Sequence, residues 1–322
     1  MSLRPSQRWM PLLATASVCV LLYLGGCLAF PRFSRPEVLV NLFTDNAFLG
    51  VAAIGMTFVI LSGGIDLSVG AVVGCVSIVI AVLIEERHLH PGLVIPLVLA
   101  GGLVFGICMG GLIHFFELPP FLVTLAGMFF SRGLGLVISE ESKSIGHPLL
   151  QAAAGWSLPA EATVALRSVA LIFVLVLAGA LFLARFTRFG RNIYAVGGNE
   201  NSAVLMGLPV GATKVGVYGL SGFCSALAGV VYALYTSSGN ATAATGLELD
   251  AIAAVVVGGT LLSGGVGYVA GTLIGVLIFG IIQTLISFQG TLSSWWTKIA
   301  IGVLLLAFIL LQRALQGRRA RR

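Results

Sequence analysis

Few residues in this chain of 322 carry groups that could do chemistry, and those few stand among apolar runs. The densest polar stretch is Leu61-Ser62-Gly63-Gly64-Ile65-Asp66-Leu67-Ser68-Val69-Gly70. Its opening recurs at Leu262-Ser263-Gly264-Gly265-Val266, with Gly271 matching Gly70 and Gly267 standing where the first copy has Asp66. A second constellation, Gly219-Leu220-Ser221-Gly222, has the form found around the serine of proteases that cut within membranes. Such a nucleophile needs a base beside it. His88, His90, His114 and His147 all precede Ser221 and fall at the ends of apolar runs or between them, so hydrolysis is set aside. Paired carboxylates within an apolar run, as a proton relay would need, a His-Glu-x-x-His run and any metal-type cluster are absent from the sequence. Cys19, Cys27, Cys75, Cys108 and Cys224 lack Cys-x-x-Cys spacing and read as packing residues. No Gly-Lys dipeptide occurs, so the sequence has no Walker-type phosphate loop. No cofactor is expected on this chain, and any ATP that drives it is bound elsewhere.

The elements that must position these residues follow from composition. Hydrophobic residues make up 58% and charged residues 9% of the chain, against roughly 25% charged in a soluble domain. The chain reads as an all-α integral membrane protein. Its apolar runs are continuous, whereas a β-barrel would alternate. About 20 residues per span gives about ten transmembrane helices, near 10–30, 46–61, 67–84, 92–113, 120–138, 168–184, 215–235, 250–262, 267–287 and 296–312. The whole of 1–322 is expected to be one membrane domain. It would have a polar outer segment at about 139–167, an inner loop at about 185–214 and a basic tail at 313–322. Arg4, Arg8, Arg185, Arg188, Arg191, Lys214, Arg313, Arg318, Arg319, Arg321 and Arg322 then fall on one side, which places both termini in the cytoplasm. The net charge of +6 is accounted for in this way, and no nucleic-acid partner is implied.

Within the inner loop, Gly198-Asn199-Glu200-Asn201-Ser202-Ala203-Val204-Leu205-Met206-Gly207 predicts a two-turn helix. Asn199 or Asn201 would cap it, Glu200 suits its first turn and Gly207 would end it. Ala203, Val204, Leu205 and Met206 form a short apolar face that needs a partner or the lipid headgroups to cover it. Asp66 could cap the third span or line a pathway. Asp250 suits a helix start, Asp45 and Glu248 are further membrane-proximal charges, and Arg132 lies deep enough to need a partner or to snorkel outward. Two glycine rows at four-residue spacing, Gly102-Gly106-Gly110 and Gly267-Gly271-Gly275, predict close helix packing.

At these residues the sequence resembles the permease family of ribose-type sugar ABC importers. The resemblance rests on Gly55–Gly70, Pro120–Met128, Ala195–Gly207 and Gly258–Gly265, and extends from about Val38 to Leu311. Leu125–Arg132, Ser139–Ser142 and Thr291–Lys298 look most like the galactofuranose transporters within it. The resemblance implies a ten-helix bundle of the vitamin B12 importer type in the bacterial inner membrane. It implies a separate ATPase subunit holding ATP and magnesium, which would press on Gly198–Gly207. A second permease, forming a heterodimer, and a periplasmic sugar-binding protein would complete the importer, with a monosaccharide as cargo. Ser62, Gly63, Gly64, Asp66, Ser68, Ser263, Gly264 and Gly265 would then be a gate or part of the route. The competing expectation is a channel or an ion-driven secondary transporter, for which Asp66 is the one candidate carboxylate.

Overall fold

The structure is a computed structural model that describes residues 5–158, 165–293 and 295–320. Arg4, Pro159, Ser294, Arg321 and Arg322 lie outside the described residues, as do the side chains of Arg8, Arg313, Arg318 and Arg319. The helices, in chain order, are α1 (Pro5–Ala29), α2 (Pro36–Asp45), α3 (Ala47–Leu61), α4 (Val69–Ala81, prolonged by a π turn at Val82–Glu86), α5 (Pro91–Phe115), α6 (Pro120–Ile138) and α7 (Pro148–Gly155). They continue as α8 (Ser168–Phe186), α9 (Arg188–Gly198), α10 (Glu200–Leu205), α11 (Val210–Thr236), α12 (Leu247–Val257), α13 (Val269–Gln289) and α14 (Trp295–Ala320). Two antiparallel two-residue ladders complete the fold. Strand β1 (Lys143–Ser144) pairs with β4 (Ser238–Gly239), and β2 (Ser157–Leu158) with β3 (Leu166–Arg167).

Among the described residues, seven helices are long and apolar enough to cross a bilayer, and the α2–α3 pair, bent by 56°, makes an eighth if taken as one span. Proline at the first turn of α2, α5 and α6 starts these helices where no backbone donor is lost. The stretch expected to be the eighth span is shorter than a crossing. Helix α12 has 11 residues, about 16 Å at 1.5 Å per residue, or roughly half of a hydrocarbon core of about 30 Å. The glycines that follow it end the helix early.

The centre of the bundle is α11, packed along α5 and against α3 and α4. The first glycine row explains the closeness. A β-carbon at Gly102 would lie 2.5 Å from the β-carbon of Ala226, and one at Gly110 would lie 2.8 Å from the α-carbon of Val215. In the second row Gly271 and Gly275 do the same for α13, against the backbone of Gly258 and Ala254. Both rows pack within the chain. Helix α3 is apolar on every side and correspondingly buried throughout, Phe48 excepted.

The connection from α11 to α12 re-enters the bundle. It leaves β4, where Ser77 Oγ accepts from the Asn240 N–H at 3.1 Å, and descends along α4 until the Ala244 carbonyl faces Gly70. Ala244 (φ 56°) and Gly246 (φ 86°) make the left-handed turns that reverse it into α12.

Candidate translocation and coupling site

The two polar breaks lie side by side. In the first, Gly63 takes φ 86° and α3 closes on its own carbonyls, with Gly64 N–H donating to Val59 at 3.0 Å. Asp66 is fully buried. Its Oδ1 accepts from the Ser68 N–H at 2.9 Å and the Ser68 hydroxyl at 2.6 Å, and its Oδ2 accepts from Ser221 Oγ at 2.7 Å. The carboxylate therefore closes a turn onto Ser68, the residue just before α4, and ties it to α11. Ser221 is occupied with this carboxylate, and the histidines stand elsewhere: His90 and His147 cap α5 and α7, and His114 packs on Gly211.

The second break, from Gly258 to Tyr268, is folded by Leu261 N–H donating to Val266 at 2.9 Å and Gly264 N–H to Leu261 at 3.0 Å, with Gly264 and Gly265 at φ 81° and 72°. Gly265 N–H then donates to the Leu61 carbonyl at 2.9 Å, joining the two breaks backbone to backbone. One turn away, the hydroxyls of Thr57 and Thr272 meet at 2.7 Å. Ser62 turns back on Val59 at 2.8 Å, and Ser263 is exposed beside the junction.

A third segment closes on this pair. Helix α9 stands where the sequence suggests a loop: Thr187 caps it at Gly190 (3.0 Å), and Phe189, Ile193 and Val196 recur at helical spacing. Its last residues fill the junction. A β-carbon at Gly197 would overlap the Leu61 carbonyl and lie 2.7 Å from the Gly265 nitrogen, and one at Gly265 would lie 2.6 Å from the α-carbon of Gly198. Tyr194 donates to the Gly267 carbonyl at 3.0 Å, and burial pushes its phenol up to about 12.

Beyond the junction, α10 stands out from the bundle. Asn199 Oδ1 accepts from the Ser202 N–H at 2.8 Å, which selects Asn199 over Asn201 as the cap. Gly207 ends the unit at φ 71°. Lys214 braces it through Glu200 at 2.6 Å. One expectation is corrected here. Ala203 is fully buried against Val196 and Val210 and is not part of an outward face. Its small side chain lets α10 fold back on α9 and the start of α11. The outward apolar residues are Leu205 (88% exposed), Met206 and Val204.

Two of the remaining membrane-proximal charges also find partners. Asp250, in the first turn of α12, pairs with Lys298 at 2.5 Å. Arg132 does not snorkel. Its Nη1 donates to the carbonyls of Ala241 and Ala243 at 2.5 and 2.8 Å, on the re-entrant loop.

Comparison with known proteins gives this geometry a family. The family model described as branched-chain amino acid transport system / permease component matches residues 38–309. The chain is 51% identical over 311 residues to the inner membrane ABC transporter permease protein YjfF of Escherichia coli (strain K12), covering 96% of this chain and 93% of that one. It is 37% identical over 327 residues to the fructose import permease protein FruG of Bifidobacterium longum (97% and 93% covered). It is 40% identical over 289 residues to the ribose import permease protein RbsC of Bacillus subtilis (88% and 87%). No solved structure matches the chain.

Proposed function

We propose, because the chain belongs to the branched-chain amino acid transport system / permease component family and is a multi-pass inner-membrane member with sugar permeases among its relatives, that it is the permease subunit of an ATP-driven monosaccharide importer. Its ten helical segments, α1, α2–α3, α4, α5, α6, α8, α11, α12, α13 and α14, would form a bundle of the vitamin B12 importer type with both termini in the cytoplasm. It would pair with a second, different permease, receive sugar from a periplasmic binding protein and carry no ATPase site of its own. Galactofuranose is the cargo we favour, on the likeness to the YjfF branch.

The observation that carries this reading is the α9–α10 unit. Leu205, Met206 and Val204 are bare at one end, and Gly197 is wedged against both breaks at the other. An ATPase subunit pressing on Leu205 would tilt a short rigid lever whose root touches the end of α3 and the break between α12 and α13. Alternating access then needs only that the two breaks separate from each other or from α9. Leu205→Glu tests this. At 88% exposure the glutamate costs the fold little, but it places a charge in an apolar contact. Sugar uptake should fall by about tenfold or more, in the usual range of coupling energies, while membrane insertion is unchanged. Normal uptake by this variant with the ATPase still bound would remove the assignment.

The competing reading is an ion-driven transporter working through Asp66. The three hydrogen bonds that fix Asp66 disfavour it. Uptake in vesicles given an ion gradient and no ATP would restore it.

A further inference from the structure

At the end of the molecule away from the breaks, an open cavity of about 330 Å³ lies between α7, the start of α8 and the end of α11. Small-molecule pockets span roughly 300–1,000 Å³, so it is large enough for a small ligand. Gln151, Arg167, Tyr235 and Ser237 give it an amide, a guanidinium and two hydroxyls. Val169 and Leu234, both buried, give it an apolar floor.

Each polar group stands on backbone that the fold holds in place. Gln151 is in the first turn of α7, where its N–H donates to the His147 carbonyl at 3.1 Å and the His147 N–H donates to Glu85 at 3.0 Å. Arg167 pairs with Ser157 in the β2–β3 ladder, and its neighbour Ser168 donates its N–H to Trp156 at 3.0 Å. Ser237, at φ 50°, accepts the Ile145 N–H on its carbonyl at 2.8 Å. The Tyr235 ring lies beside Phe48, with centroids 6.3 Å apart, and its hydroxyl donates to Asp45 Oδ1 at 3.1 Å. Asp45 and Arg167 are within electrostatic reach of each other. The Arg167 guanidinium is exposed and donates to no acceptor among the described residues.

The charges of this site balance: one guanidinium on the wall, and one carboxylate held just behind Tyr235. That balance favours a neutral ligand over an anion or a cation. Donors and acceptors mixed above an apolar floor suit a ring with hydroxyls on its edge and C–H groups on its face. We infer that this cavity is a receiving site for a monosaccharide at the outer mouth of the chain. Arg167 donates to hydroxyl or ring oxygens, Gln151 and Ser237 donate and accept, and Val169 and Leu234 pack under the ring. This inference rests on the importer reading above and adds a site to it. The two ends then divide the work: sugar is received beside α7, and the lever acts on the breaks.

The test uses the assembled importer. ATP-driven uptake of 14C-labelled D-ribose, D-fructose and D-galactose is measured first, in proteoliposomes with the binding protein present. If none is moved, the sugar reading fails and the site falls with it. A sugar that is moved becomes the probe for saturation-transfer NMR on the same importer in nanodiscs, without binding protein or ATP. Transfer to that sugar is expected at millimolar concentration. Arg167→Met should weaken its apparent affinity by about tenfold at an unchanged melting temperature, as loss of a hydrogen bond from a charged donor does. No transfer, or equal affinity in the variant, overturns the site and leaves the importer reading standing. Displacement of the sugar by equimolar inorganic phosphate would mark an anion site and overturn the assignment to a neutral sugar. Should Arg167→Met fail to assemble or melt lower, Gln151→Ala decides. Gln151 is exposed, so its truncation costs the fold little and should weaken the sugar by about threefold. Unchanged affinity in that variant counts against the proposal.

Discussion

A methyl group added at Gly197 has nowhere to go, because the Leu61 carbonyl and the Gly265 nitrogen already occupy the space. Backbone is the obstacle here, so no rotamer change relieves it, and overpacking of this kind costs about 1–3 kcal/mol. Gly198 is the matched control, since a β-carbon there meets nothing within 4 Å. Gly197→Ala is expected to abolish most uptake while Gly198→Ala retains it, measured side by side in cells at equal membrane abundance. Ser221→Ala makes a second contrast. It removes one of three donors to Asp66, so stability should drop by about 1 kcal/mol in a thermal melt of the purified protein, with uptake retained. The individual residues were legible in the sequence as breaks, caps and small packing groups. Their contact was not. Local spacing marks Gly63 and Gly264 as turns, but nothing in it states that residues so distant along the chain share one hydrogen bond at Gly265 and Leu61.

Elements were legible in proportion to the length of their apolar runs. Helix α3 ends at Leu61 as expected, because the polar motif stops the run. Helix α9 is hidden in the sequence because its arginines and glycines interrupt a three-residue apolar stripe, Phe189, Ile193 and Val196, that packs on the bundle. Helix α11 begins at Val210 rather than near 215, since Pro209 starts it and Thr213 back-bonds to Pro209 at 2.7 Å. The lever of α9 and α10 is thus stiffer than a loop with one short helix would be. Its weakest part is α10, six residues long, well below the length at which a helix is stable alone. Asn199→Ala should cost about 1 kcal/mol through the lost cap. That loss should fray α10 without disturbing α9, which has its own cap at Thr187. The measurable outcome is faster amide exchange confined to about 200–207, together with weaker binding of the ATPase subunit. Unchanged exchange there would mean that packing of Ala203 alone holds the helix. Lys214→Ala should do less, because a part-exposed ion pair contributes about 0–1 kcal/mol.

At the scale of the molecule, hydropathy carries the all-α membrane class and the long apolar helices, but not every expected span, since the stretch expected as the eighth is a half-length helix. What hydropathy cannot express is depth. The segment 237–246 lies between two apolar runs and reads as an outer loop, yet it descends to Gly70 because glycines on α4 leave room and Arg132 binds its carbonyls. The consequence is a fold with a broad asymmetry between its two ends. One end holds α7 and the two short ladders, with Glu85 Oε1 accepting from Gly146 and His147 N–H at 2.8 and 3.0 Å. The other holds the breaks and the lever. If arginine placement orients the chain, the first end faces outward and the second faces the cytoplasm. Single cysteines test this in intact cells. Gly155 is exposed at the end of α7, with nothing within 4 Å of an added β-carbon, and Met206 is 66% exposed at the tip of α10. Gly155→Cys should react with a membrane-impermeant maleimide added to whole cells. Met206→Cys should react only after the membrane is opened, and its labelling should then fall when the ATPase subunit is bound. Labelling of Met206→Cys in sealed cells would invert the topology and, with it, remove α10 from the reach of any ATP-hydrolysing partner.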